Sequence, residues 1–157
     1  MTSTTTQAPP DHKAWKATLA KAAARRTLAE IDFLTTVAAT SETVSQTEIA
    51  VALHTSQANV SRWAARGRQQ AERHPAGSLG ADPYEIAQRY ALGHIPRDET
   101  IAVLGAWPYE QDFVPKHYWD DLGISPPGAF GPTVGRALRE GLLSDTDYDT
   151  ILHAMAD

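Results

Sequence analysis

Between Gln57 and Ala71 the chain carries Gln57, Arg62, Arg66, Arg68, Gln69 and Gln70 and no acid, although its 19 Asp and Glu outnumber its 14 Lys and Arg. Wound as a helix with Val60, Trp63 and Gly67 turned inward, this stretch shows Gln57, Ala58, Ser61, Arg62, Ala65, Arg68 and Gln69 on its outer face, with Asn59 and Arg66 on the flanks. Such side chains suit the edges of base pairs. A glutamine amide fits the N6/N7 edge of adenine, an arginine fork fits O6/N7 of guanine, and an alanine methyl can lie against that of thymine. Arginines on the same face attract phosphates, an attraction that weakens as salt rises. A plain solvated face gives no reason for the missing acids; a surface for an acidic partner, the chain's own second half included, would.

A reading helix needs a second element to present it. The preceding segment runs Gln46, Thr47, Glu48, Ile49, Ala50, Val51, Ala52, Leu53, His54, Thr55, Ser56 and on to Trp63. It resembles the helix-turn-helix of bacterial and phage regulators. Two helices that cross steeply leave room only for a small side chain, and Ala50 stands where that family has alanine. Ile49, Leu53, Val60 and Trp63 are apolar where the family packs the two helices on each other and on a preceding one. His54 stands where glycine is usual, a place that favours a left-handed backbone, and Thr55 replaces a small aliphatic residue; histidine tolerates that conformation better than most residues do. Ser56 is a good cap, because its hydroxyl can accept from an amide two or three residues on.

The resemblance covers residues 44 to 68 closely and extends loosely back to Trp15. It implies double-stranded DNA as the partner, with a recognition helix, roughly Ser56 to Gln69, in the major groove. Gln57, Ala58, Ser61 and Arg62 would then read bases. Gln46, Thr47, Ser56, Asn59, Arg66, Arg68 and Arg73 would meet phosphates, which fix register.

Around this motif the periodicity predicts an all-α protein: an N-terminal tri-helical helix-turn-helix domain followed by a small helical C-terminal domain of two helix pairs. Trp15, Leu19, Ala22, Leu28, Ile31, Leu34 and Ala38 recur at three- and four-residue steps, as on an amphipathic first helix, with Arg25 as the place for a break. Thr40 to Ser45 ends it. Residues 1–10, rich in Thr, Ser and Pro and without charge, read as a disordered tail. Residues 75–81 have the composition of a linker, which separates a DNA-binding domain over 11–74 from an acidic interaction domain over 82–157. Charge divides there too. Residues 1–74 carry nine Lys and Arg against six Asp and Glu, a net of +3, and residues 75–157 carry five against thirteen, a net of −8.

In the second half Asp82 and Pro83 start a helix that Gly93 stops, and Pro96 opens another through about Gly105. Residues 108–132 read as irregular, with one short helix around Lys116 to Leu122. Thr133 to Glu140 and Ser144 to Ala156 form a second pair around Gly141. A shift of 48 positions lays Ile86 on Val134, Gly93 on Gly141, Ile95 on Leu143 and Leu104 on Leu152, as one unit used twice would; capping grammar common to helix pairs gives the same agreement.

The remaining chemistry is thin. Cysteine is absent, which excludes disulfides, thiolate metal sites and a cysteine nucleophile. His117 with Asp120 and Asp121 reads as a partly exposed helix face rather than a metal site, and Asp145, Asp147 and Asp149 as acids of a first helical turn rather than a calcium loop. No nucleophile elbow or phosphate-cradling glycine loop is present, so neither an enzyme nor a bound cofactor or metal is expected. Trp107, Tyr109, Phe113, Tyr118, Trp119 and Phe130 read first as core and second, beside Glu110 and Asp112, as a surface for a protein partner. With no long apolar run and no secretory signal at Met1 to Pro10, a cytoplasmic protein without membrane contact is expected. The leading reading is a sequence-specific transcriptional regulator, with a homodimer as an open option. The alternative is an antitoxin or phage adaptor whose acidic half grips a protein partner and whose helix-turn-helix serves autoregulation.

Overall fold

Helix α1 (Ala14–Thr40) runs 27 residues without interruption. It contains many alanines and neither glycine nor proline, so nothing in it breaks the hydrogen-bond ladder, and the break expected near Arg25 does not occur. The computed structural model describes residues 14–117 and 123–157. The expected tail over 1–10, and with it Tyr118 to Leu122 of the expected short helix, lie outside the described residues; Lys116 and His117 lie in a bend.

The buried face of α1 is Ala24, Leu28, Leu34, Val37 and Ala38. Trp15 and Leu19, expected on that face, are 50% and 60% exposed. Near its N-terminus α1 packs through smaller residues instead: Ala20 lies against the core of the second half, and Ala17 lies so close to Gly141 that a Cβ there would be 2.8 Å from the Ala17 methyl. The C-terminal part of α1 packs on α2 (Gln46–Ala52) and α3 (Gln57–Arg73), around Val37, Ile49, Ala50, Val60 and Ala64. α1 therefore crosses the boundary placed at residues 75–81 and is shared by both halves.

α1 and α3 approach to backbone contact. A Cβ on Gly67 would sit 2.0 Å from the Leu34 carbonyl oxygen and 2.8 Å from the Ala38 methyl, so only glycine fits the crossing. Beyond it, Phe33 and Trp63 meet edge to face with centroids 5.2 Å apart.

The second half holds α4 (Pro83–Ala91), α5 (Arg97–Ala106), a π-helical turn (Gly131–Gly135) that runs into α6 (Arg136–Arg139), and α7 (Asp145–Ala156). The shift of 48 found in the sequence recurs in the backbone. Gly93 and Gly141 both have φ of 77°. The amide of His94 donates to the Arg89 carbonyl at 2.9 Å, and that of Leu142 to the Ala137 carbonyl at 2.9 Å. In both pairs a left-handed glycine thus closes the first helix by returning orphan carbonyls to the chain. Ile86, Leu104, Val134 and Ile151 are fully buried between the pairs. The likeness ends at Leu104 and Leu152, fully buried and 40% exposed respectively. After α5 the chain folds back, so that the Tyr109 hydroxyl donates to the Leu104 carbonyl at 2.7 Å and the ring meets Phe130 at 5.1 Å. Tyr109, Phe130 and Tyr148 belong to this core or its margin, whereas Phe113 is exposed. Among the described residues there is no strand, and no helix is long and apolar enough to cross a membrane.

Candidate nucleic-acid interface

Two capped helices and one left-handed residue set this surface. Ser45 caps α2: its hydroxyl accepts from the Glu48 amide at 3.3 Å, and the Glu48 carboxylate accepts from the Ser45 amide at 3.3 Å and from its hydroxyl at 2.7 Å. This reciprocal box engages the one acid of α2, and the Ser45 bonds hold the Glu48 carboxyl below its ordinary range. The Ser-x-x-Glu spacing at Ser45 and Glu48 is the local signature of such a box.

The chain turns from α2 to α3 through Leu53, His54, Thr55 and Ser56. His54 has φ of 52°, the left-handed conformation expected at that position, and the Thr55 amide donates to the Ala50 carbonyl at 2.9 Å. Leu53, expected to pack between the helices, is exposed. Ser56 caps α3 by accepting from the Asn59 amide at 3.2 Å. α3 continues to Arg73, one turn past the expected end at Gln69, because no helix breaker occurs before His74 and Pro75.

On α3 the four expected base readers, Gln57, Ala58, Ser61 and Arg62, are all exposed. Two of them are held by neighbours. Gln57 Nε2 donates to Gln46 Oε1 at 3.0 Å, which ties the first turn of α3 to the first turn of α2 and fixes the amide's orientation. Arg62 Nη2 donates to Asn59 Oδ1 at 2.6 Å, and Asn59 Nδ2 in turn donates to Thr55 Oγ1 at 2.9 Å. This relay from the turn aims a guanidinium whose other donors are left open. A side chain held in place before contact loses less freedom on binding than a free one.

The expected phosphate ligands divide into three kinds. Thr47, in the first turn of α2, and Ser56, before α3, are exposed, Ser56 with its oxygen already used as a cap. Gln46 and Asn59 are half-buried and act within the surface, as props for Gln57 and Arg62. Of the three arginines, Arg66 pairs with Glu30 of α1 at 2.8 Å and Arg73 with Asp82 at 3.5 Å, so both carry a local counter-charge; among the described residues Arg68 has no ion-pair partner. Glu30 lies 36 residues from Arg66, and no sequence signal links them.

No protein-family model, curated protein or solved structure matches this chain.

Proposed function

We propose that the protein is a sequence-specific double-stranded DNA-binding transcriptional regulator, in which α2 and α3 form a helix-turn-helix and α3 enters the major groove. The observation that carries this reading is the outer row of α3: exposed, free of acid from Gln57 to Ala71, and holding Gln57 and Arg62 in fixed orientations through Gln46 and Asn59. A glutamine held this way offers a donor and an acceptor matched to adenine, and an arginine two donors matched to guanine, each good bidentate pair being worth about 1 to 3 kcal/mol of discrimination. Arg68 supplies unspecific attraction to the backbone. The acidic second half is the natural place for a regulatory contact, being of the wrong sign for DNA.

The test is selection of duplexes from a random pool with the full-length protein, followed by titration across salt concentrations. A defined site should emerge. Arg62→Ala should lose preference at one base position, about ten- to hundredfold, while Arg68→Ala should weaken all sequences alike and reduce the salt slope by about one. If both variants select and bind as the parent does, α3 is not the reading helix.

A further inference from the structure

The end of α3 meets the start of α4 through a buried carboxylate. The Glu85 side chain, 8% exposed, accepts from Arg89 Nε at 2.9 Å, from the Ala81 amide at 3.2 Å, and from His74 Nε2 at 2.7 and 2.9 Å on its two oxygens. Burial works to raise the Glu85 carboxyl; the bonds from His74, Arg89 and Ala81 outweigh it and keep the group charged. His74, 16% exposed, has its other ring nitrogen, Nδ1, 2.6 Å from the Gln70 carbonyl oxygen, one turn back on α3.

Both neighbours of the ring are acceptors with no proton to give. A neutral imidazole donates from one nitrogen only, so the form that satisfies Gln70 and Glu85 together is the imidazolium. Remove one proton and a ring lone pair faces an oxygen across a hydrogen-bond distance.

We propose that His74 is a proton-operated latch between α3 and the helical unit that begins at α4: closed when the ring carries both protons, and open on one side when it carries one. The surrounding charges let it open without collapse. From α4, Arg89 stays on Glu85, so the buried carboxylate keeps a counterion, and Asp82 faces Arg73 of α3 at 3.5 Å. Asp32 of α1 and His94, after α4, line with the ring a cavity of about 490 Å³. What deprotonation removes is one of two bonds: the Nδ1 bond that closes the last turn of α3 on Gln70, or the Nε2 bond that ties that turn to Glu85. Because closure needs both ring protons and an ionised Glu85, it fails when the ring gives one proton up. The latch stands whether or not α3 reads DNA.

Long-range ¹⁵N spectra of the His74 ring in the full chain, recorded from acid to alkaline pH alongside hydrogen exchange of the amides of residues 71–74, test it. Both ring nitrogens should carry protons at low pH. As one is lost, protection at residues 71–74, corrected for intrinsic rates, should fall by about tenfold while α5 and α7 keep theirs. His74→Gln, which cannot gain or lose a proton, should give a flat profile. A ring that holds one tautomer throughout, or protection that ignores its titration, would overturn the proposal even if His74→Gln fails to fold. So would the same pH dependence in a folded His74→Gln protein.

Discussion

The two ends of α1 are surrounded by opposite arrangements of polar side chains. Around its C-terminal part, α2 and α3 keep most of theirs outside, the buried Gln70 Oε1 excepted. Around its N-terminal part, the tandem helix pairs put theirs in the core: the buried polar side chains of the described residues are Glu85, Gln88, Thr100, Thr133 and Asp147, all in the second half. Asp147 is the clearest case, since its carboxylate accepts from Tyr90 of α4 at 2.8 Å and from Arg97 of α5 at 2.7 Å, while its own amide donates to the Ser144 hydroxyl at 3.1 Å at the start of α7. Polar groups committed to one another hold elements together but have little left for a partner. On α3, by contrast, Arg68 and the remaining donors of Arg62 are left open, and that contrast is why the candidate interface is placed there.

The contrast also says what each region's stability rests on, and Gly67 is where it breaks hardest. On helix propensity alone Gly67→Ala would stabilise α3 by about 1 kcal/mol. The new methyl, however, would lie 2.0 Å from a backbone oxygen of α1, and backbone cannot rotate away. Separating the helices undoes the packing of Val60 and Ala64, so a net loss of about 2 to 3 kcal/mol is expected in urea unfolding. A stabilised variant would mean that the crossing is looser than drawn.

In the second half the corresponding weak point is Asp147. Burial works to raise its carboxyl, while bonds from Tyr90, Arg97 and Ser144 hold it below the ordinary range. Asp147→Ala should cost about 1 to 2 kcal/mol, chiefly by leaving the Tyr90 hydroxyl without its acceptor; Arg97, half exposed, can turn to water. A depressed carboxyl contributes stability that is present above its unfolded pKa and is lost as the pH falls through the folded one. The parent's melting temperature should therefore drop in acid more steeply than the variant's. Equal slopes would show that the carboxylate contributes nothing through its charge.

These two sites differ in how far the sequence announced them. Features that close within a few residues were legible: the left-handed His54, the Ser56 cap, the Asp82 and Pro83 start, and the glycine stops at Gly93 and Gly141. Gly67 was placed inward, but its contact with Leu34 depends on how α1 and α3 cross. The same holds for the pairs Arg66 with Glu30, Gln57 with Gln46 and His74 with Glu85, each between separate elements. The apolar stripe of α1 departs from its periodicity at Trp15 and Leu19, because Ala17 and Ala20, not the large residues, face the second half there.

A smaller effect is expected at the cap of α3. Ser56→Ala removes the acceptor for the Asn59 amide and should cost about 1 kcal/mol by thermal or urea unfolding. Because Asn59 is also the prop of Arg62, the variant should bind a selected duplex more weakly than its stability loss explains. Binding that merely tracks the folded fraction would show that the prop is not needed.

The least disruptive change asks whether the pairing at the edge of α3 withholds an arginine from DNA. Arg66 and Glu30 are each more than half exposed, and such pairs contribute about 0 to 1 kcal/mol, so Glu30→Gln should leave stability nearly unchanged. It removes a negative charge 2.8 Å from a guanidinium that lies on the flank of the acid-free face of α3. A phosphate arriving at Arg66 must displace Glu30 in the parent and only an amide in the variant. Affinity for unselected duplex should therefore rise, and the slope of log affinity against log salt should steepen by up to about one phosphate's worth, with base preference unchanged. If affinity and slope both stay at the parent's values, Arg66 belongs with the committed side chains that bind α1 to α3, and the free row on α3 ends at Arg62 and Arg68.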